Sequence, residues 1–228
     1  MTYNKEELLS LLNSMSDILI ELESDFSEYN ADYFYQELND NIKEKFQDYA
    51  YGASKFVLIP NNYDFVIKIP FKGTCYPTSS EDWEEDDGFE RFIYADSNNG
   101  WDYCEAEVRR YEFAKEKGFN HFLAKTELLG YINNYPIYIQ EKCVIFSQDD
   151  SFSCHSKEEK SKTIATLEKR DVWINIDWLT DVRLYYGEDA FWFFINFIRD
   201  EEWDDLREDN IGYIGSQPVL VDYSGYYE

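Results

Sequence analysis

Phe65-Val66-Ile67-Lys68-Ile69 leaves the chain little choice of fold. Four apolar residues around one lysine, bounded by turn signals, read as a buried strand rather than a helix. Phe56-Val57-Leu58-Ile59 is a second such run, and Pro60-Asn61-Asn62 after it is a turn cluster, so the two runs predict a hairpin. A lysine in such a strand is costly to bury unpaired and needs an anion. The helix predicted over 101–117 offers Glu105 or Glu107. Glu107 is preferred, because Tyr111 follows one turn later and can anchor that face inward.

The remaining pattern alternates in blocks. Leu8, Leu11, Leu12, Met15, Ile18, Leu19 and Leu22 predict an amphipathic helix over 5–24, capped by Thr2 or Asn4. Tyr29, Tyr33, Phe34, Leu38, Ile42 and Phe46 predict a second over 28–49, the pair forming an N-terminal extension packed on the main domain. Residues 79–102 read as a long, irregular, exposed acidic insertion. Its cluster Glu81, Asp82, Glu84, Glu85, Asp86 and Asp87 lacks the spacing and the glycine of a calcium loop. Beyond the 101–117 helix, stopped by Gly118, strands are predicted at 126–132 and 136–145 around Asn133-Asn134-Tyr135-Pro136. Helices are predicted at 156–170 and 188–199, the latter as the core of a second lobe, and then a hairpin of Ile211–Ile214 and Val219–Val221 about Gly215-Ser216-Gln217-Pro218. Strands segregated from helices in this way give an α+β class.

Composition narrows the function classes. Aromatic residues make up 19% of the 228, far too many for a disordered chain. With 21 basic against 47 acidic residues the formal charge is -26, which repels phosphate backbones and anionic membranes and suits a basic protein partner or simply high solubility. No basic leader precedes an apolar core, and no stretch reaches the ~18 apolar residues of a membrane helix. A cytoplasmic protein with no membrane partner and no direct nucleic-acid binding is expected. Cys75, Cys104, Cys143 and Cys154 are scattered, and His121 and His155 lie far apart, so no zinc ligand spacing exists and reduced thiols are expected.

The chemistry concentrates near the C-terminus. Asp205 and Asn210 fall five residues apart in a loop after a helix, and Asp222 closes the apolar run Val219-Leu220-Val221. The hairpin predicted there brings Asn210 and Asp222 together, and an amide oxygen beside a carboxylate suits magnesium completed by nucleotide phosphates and water.

At these residues the chain resembles the protein-kinase superfamily. Trp203-Asp204-Asp205-Leu206-Arg207-Glu208-Asp209-Asn210 is similar to the catalytic loop H-R-D-x-x-x-x-N, and Asp222-Tyr223-Ser224, with Gly225 next, to D-F-G. The form D-L-x-x-x-N-I-G followed by V-D-Y-S-G looks most like the small kinase-like proteins of bacteria and their phages, and like aminoglycoside kinases. The resemblance implies a two-lobed fold over 50–225 that takes ATP and Mg2+. Asp205 would be the catalytic base, and Asn210 and Asp222 the metal ligands. Ala50 to Val57 aligns with G-x-G-x-x-G-x-V, keeping the middle glycine, Gly52, with Ser54 and Lys55 beside the nucleotide. Lys68 takes the place of the strand lysine, with Glu107 as its partner. Gln140-Glu141-Lys142-Cys143 would be the hinge, where backbone groups meet the adenine. The implied domains are the extension 1–49, an N-lobe 50–143 with the insertion 79–102, and a truncated helical C-lobe 144–228.

Departures bound how far function carries over. Trp203 replaces the loop histidine, Ala50 and Lys55 replace two glycines, and Arg207 replaces a lysine. Lys55 can compensate by touching phosphate directly. Three residues follow Gly225, so neither an activation segment nor a peptide-binding platform is expected. Three functions compete: an ATP-dependent phosphotransferase with an unknown acceptor; a catalytically weak pseudokinase acting as a binding or regulatory protein; and an acidic inhibitor of a nucleic-acid-binding defence protein, by analogy a phage counter-defence role.

Overall fold

The computed structural model describes residues 4–14, 35–36, 38, 43–51, 55–70, 75–77, 92–94, 100–146, 155–167, 175–201, 203 and 206–223. The chain is a mixed α+β protein of two compact units. The first comprises Met1–Ala106 and Thr126–Gln140, the second Glu107–Lys125 and Glu141–Glu228.

Helix α1 (Lys5–Asn13) opens the first unit, its Asn4 side chain accepting from the Glu7 N–H as an N-cap. The sheet contains β1 (Phe46–Tyr51), β2 (Lys55–Pro60), β3 (Phe65–Pro70), β6 (Thr126–Ile132) and β7 (Tyr135–Glu141) in the order β1-β2-β3-β7-β6. A separate short ribbon pairs β4 (Cys75–Pro77) with β5 (Phe92–Tyr94). Residue choice explains the turns. Asn62 takes φ 61 in the predicted β2–β3 hairpin, and Asn133 and Asn134 take φ 47 and 69. Two such residues in succession are what a tight right-twisting hairpin between β6 and β7 requires.

Alternation along the strands makes the sheet two-faced. Phe56 and Leu58 face Ile69 and Ile67 across the β2–β3 ladder, and all are fully buried. They pack with Leu8 and Leu12 of α1, Leu38, Leu129, Ile132, Ile137 and Ile139. Helix α1 lies so close that a Cβ on Gly130 would stand 2.9 Å from Leu9 Cδ1. The opposite face carries Val57 beside Lys68, Lys55 beside Pro70, and Gln140 beside Thr126.

The second unit holds most of α2 (Gly100–Lys117), then α3 (Lys157–Ile164), α4 (Ile176–Tyr186), α5 (Glu188–Asp200) and a sheet of β8 (Val144–Ile145), β9 (Ile211–Ile214) and β10 (Gln217–Leu220) in the order β10-β9-β8. Phe191, Phe194, Ile195 and Ile198 repeat at the i, i+3, i+4, i+7 spacing and are buried, each stabilising by about 1.5–3 kcal/mol. They pack against Trp178, Leu179, Val182, Phe122 and Ile211. Gly187, at φ 89, is the single residue between α4 and α5. Arg183 is buried beneath, donating to Thr163 Oγ1 at 3.1 Å, to the Glu159 carbonyl at 3.1 Å and to Glu188.

Several expectations are corrected. Phe46 and Tyr49, assigned to a helix over 28–49, belong to β1: Tyr49 pairs with Leu58 and its ring stacks on Phe56 at 5.5 Å. Phe92–Tyr94, within the stretch read as irregular, is a strand. The strand expected at 136–145 is β7 and then β8, in two different sheets. Helix α3 ends at Ile164 rather than 170, and α4 lies where no helix was drawn. Phe193, assigned to the second-lobe core, is 55% exposed. Residues 15–34, and 79–91 and 95–99 of the acidic insertion, lie outside the described residues.

Candidate nucleotide and metal site

The C-terminal segment is built by successive tethers. Where α5 ends, the Trp203 N–H reaches back to the Ile198 carbonyl at 3.0 Å. The Trp203 indole is buried edge-on against Phe197, and Leu206 is buried after it. A 3₁₀ turn, Glu208–Asn210, then delivers buried Asn210 to the start of β9. The hairpin turns at Gly215, with φ 62, and pairs Ile211 with Leu220. One step beyond that pair, the Val221 N–H donates to the Asn210 carbonyl at 2.8 Å. Asn210 and the residue before Asp222 are therefore bonded neighbours, as the hairpin predicted. Gly212 fits where little else would, since a Cβ there would stand 2.5 Å from the Val144 carbonyl oxygen.

The other side of Asp222 is held as well. The Tyr223 hydroxyl donates to the Ala124 carbonyl at 2.7 Å, and its carbonyl accepts from Arg110 Nη1 at 2.6 Å. Its ring is stacked with Trp203 at 6.1 Å and 15° between planes. Trp203 thus packs on Tyr223, the aromatic residue that follows Asp222. Sequence reasoning missed Arg110, because only the tertiary fold brings α2 to Tyr223.

The other expected site residues divide between the units. Lys68 and Lys55 lie on the same face of the first sheet, both buried, with Val57 between them in register. Glu107 is fully buried on α2 whereas Glu105 is exposed, the preference drawn from Tyr111, which is also buried. Glu141 is tied to Lys125 in both directions: its N–H donates to the Lys125 carbonyl and its carboxylate accepts from the Lys125 N–H, each at 3.0 Å. Its own carbonyl accepts from the Cys143 thiol at 3.3 Å. The end of β7 is thereby braced on Lys125, just before β6 begins. Gly52, Ser54 and Asp205 lie outside the described residues, and Arg207 is exposed.

Among the described residues, no three His, Cys, Asp or Glu side chains gather into a cluster. A magnesium site of one amide and one carboxylate, completed by phosphates and water, uses fewer protein ligands than that. No described helix is long and apolar enough to cross a membrane. No protein-family model matches the chain, and no curated protein matches it in sequence.

Proposed function

We propose that this chain is a kinase-like protein that binds ATP with magnesium and passes the terminal phosphoryl group to an acceptor hydroxyl. The observation that supports this reading is the Val221–Asn210 backbone bond, which brings the backbone of Asn210 next to the residue before Asp222 at the end of the β9–β10 hairpin. The Asn210 amide and the Asp222 carboxylate are hard oxygen donors, so the pair fits magnesium by the chemistry of its ligands. Bound there, magnesium would neutralise charge on the phosphate oxygens. Lys68, a cation held on a buried strand, serves as the phosphate-binding residue, and Lys55 on the same face supplements it where glycines are lacking. Asp205 accepts the acceptor's proton as its oxygen bonds to the γ-phosphorus and the bond to the β-phosphate oxygen breaks, releasing ADP.

Thermal melting with and without ATP and Mg2+ tests this. At a hundred times its dissociation constant the complex adds ~2.7 kcal/mol of stability. Asp222→Asn removes the Mg2+-dependent part, and a variant whose shift equals the parent's would end the reading.

A second reading is a pseudokinase that acts by binding a basic protein. Leu184, Tyr185, Trp192 and Phe193 are about half exposed on α4 and α5, in a chain of charge -26. Large exposed apolar side chains on an acidic surface suit such a partner. Phosphate transfer that is lost in Asp205→Ala would exclude this alternative.

A further inference from the structure

Asp222 sits between two residues that are each held from a different direction. Val221 is pinned by its bond to Asn210 at 2.8 Å. Tyr223 is pinned by its hydroxyl on Ala124, its ring on Trp203 and its carbonyl on Arg110. The same guanidinium lies over the Trp203 ring, 5.2 Å from its centroid. One cation therefore grips both the aromatic stack and the carbonyl of the residue that follows Asp222. A planar guanidinium can donate in its plane while offering its face to an indole, and an ammonium cannot do both equally. The ring contacts alone fix where the Tyr223 side chain lies. The Arg110 bond additionally fixes the orientation of its carbonyl, two bonds from the Tyr223 Cα.

We propose that Arg110 is a positioning residue for Asp222: by holding the Tyr223 carbonyl and the face of Trp203, it sets the backbone on the C-terminal side of the metal-binding carboxylate. This rests on the metal role given to Asp222 above. A group that holds a ligand in place without touching the ion affects metal affinity by about tenfold or more when removed.

The test uses the full chain with Mn2+ as the probe, read by water-proton relaxation with ATP present, together with the dissociation constant of metal-free ATP. Asp222→Asn loses ATP-dependent Mn2+ binding. Arg110→Met weakens it about tenfold or more while leaving metal-free ATP affinity unchanged, and Arg110→Lys, which cannot make both contacts equally, recovers only part of the loss. If Asp222→Asn loses the metal but Arg110→Met binds it like the parent, Arg110 has no positioning role and the metal assignment stands. Equal weakening with and without Mn2+ in Arg110→Met makes the residue a general support of the fold and also overturns the proposal. Parental Mn2+ binding in Asp222→Asn removes the metal assignment and Arg110's role with it. Should Arg110→Met fail to fold, Trp203→Phe, which shrinks the face under the guanidinium, must show the same split between metal-bound and metal-free ATP.

Discussion

Two glycines of one hairpin separate two physical requirements at the scale of single residues. At Gly212 the obstacle is contact, with a Cβ meeting the Val144 carbonyl oxygen at 2.5 Å, and β8 must shift to admit it. Gly212→Ala is expected to lose about 1–3 kcal/mol by overpacking. At Gly215 a Cβ would meet nothing within 4 Å, and the obstacle is φ 62 alone. Gly215→Ala is expected to lose about 1–2 kcal/mol through the left-handed backbone. Urea midpoints check both, and only Gly212→Ala should alter hydrogen exchange along Val144–Ile145. The hairpin that brings Asn210 next to Val221 was legible beforehand, because an N-I-G start, a Gly-Ser turn and an apolar run into aspartate specify a register. Arg110 was not, because its partners are 93 and 113 positions further along the chain.

At the scale of elements, the β1 error is instructive. Phe46 follows Ile42 by four residues and fits a helical stripe, yet its neighbour is β2 across the sheet. Strand pairing is non-local, so the periodicity of one segment cannot reveal it. Helix α4 carried readable signals in the Asn175 cap, whose side chain accepts from Asp177 and Trp178 N–H groups, and in the Gly187 stop. Its apolar positions are interrupted by Asp177, Asp181 and Arg183, which masks the stripe. Those polar residues knit the unit together. Asp181 accepts from Tyr213 at 2.6 Å and lies 3.0 Å from His155 Nε2. Burial first, and then the Asp181 carboxylate, push the Tyr213 hydroxyl well above its ordinary value of 10.0. A raised value in the folded state means the protonated form is favoured by folding. Its contribution is whole below pH 10 and declines as pH climbs beyond that. Tyr213→Phe is expected to be less stable by about 1–2 kcal/mol at neutral pH. The gap to the parent should narrow above pH 10, which urea titrations at about pH 8 and about pH 11 measure. Arg183→Met removes one buried donor each from the Glu159 carbonyl and the Thr163 hydroxyl, which keep the Thr163 and Thr180 hydroxyls, respectively, as side-chain partners, and is expected to lose about 1–3 kcal/mol.

At the scale of the whole molecule, the α+β class follows from the block order of helix and strand periodicities. The division into units does not, because residues 107–125 join the second unit while 126–140 return to the first, so unit membership is not collinear with sequence. Charge acts across all of it. The excess of 26 acids over bases is a sum that hardly depends on which groups pair locally. Folding brings these charges closer than they lie in the unfolded chain, so their mutual repulsion opposes the compact state. Dissolved salt screens that repulsion, with a range falling from about 30 Å at 0.01 M to about 3 Å at 1 M. Local ion pairs such as Lys115–Glu112 and Lys162–Glu158 are exposed and contribute little, so screening them removes less than it relieves. The melting temperature is therefore expected to rise with sodium chloride between about 0.01 M and about 0.3 M, a range over which screening dominates. Sodium sulfate also strengthens apolar burial, so it is the wrong salt for this measurement. A midpoint that is flat or falls over that range would mean that local pairs, not the net charge, govern stability. The -26 surface would then need a different explanation, such as a basic partner that the charge has been shaped to meet.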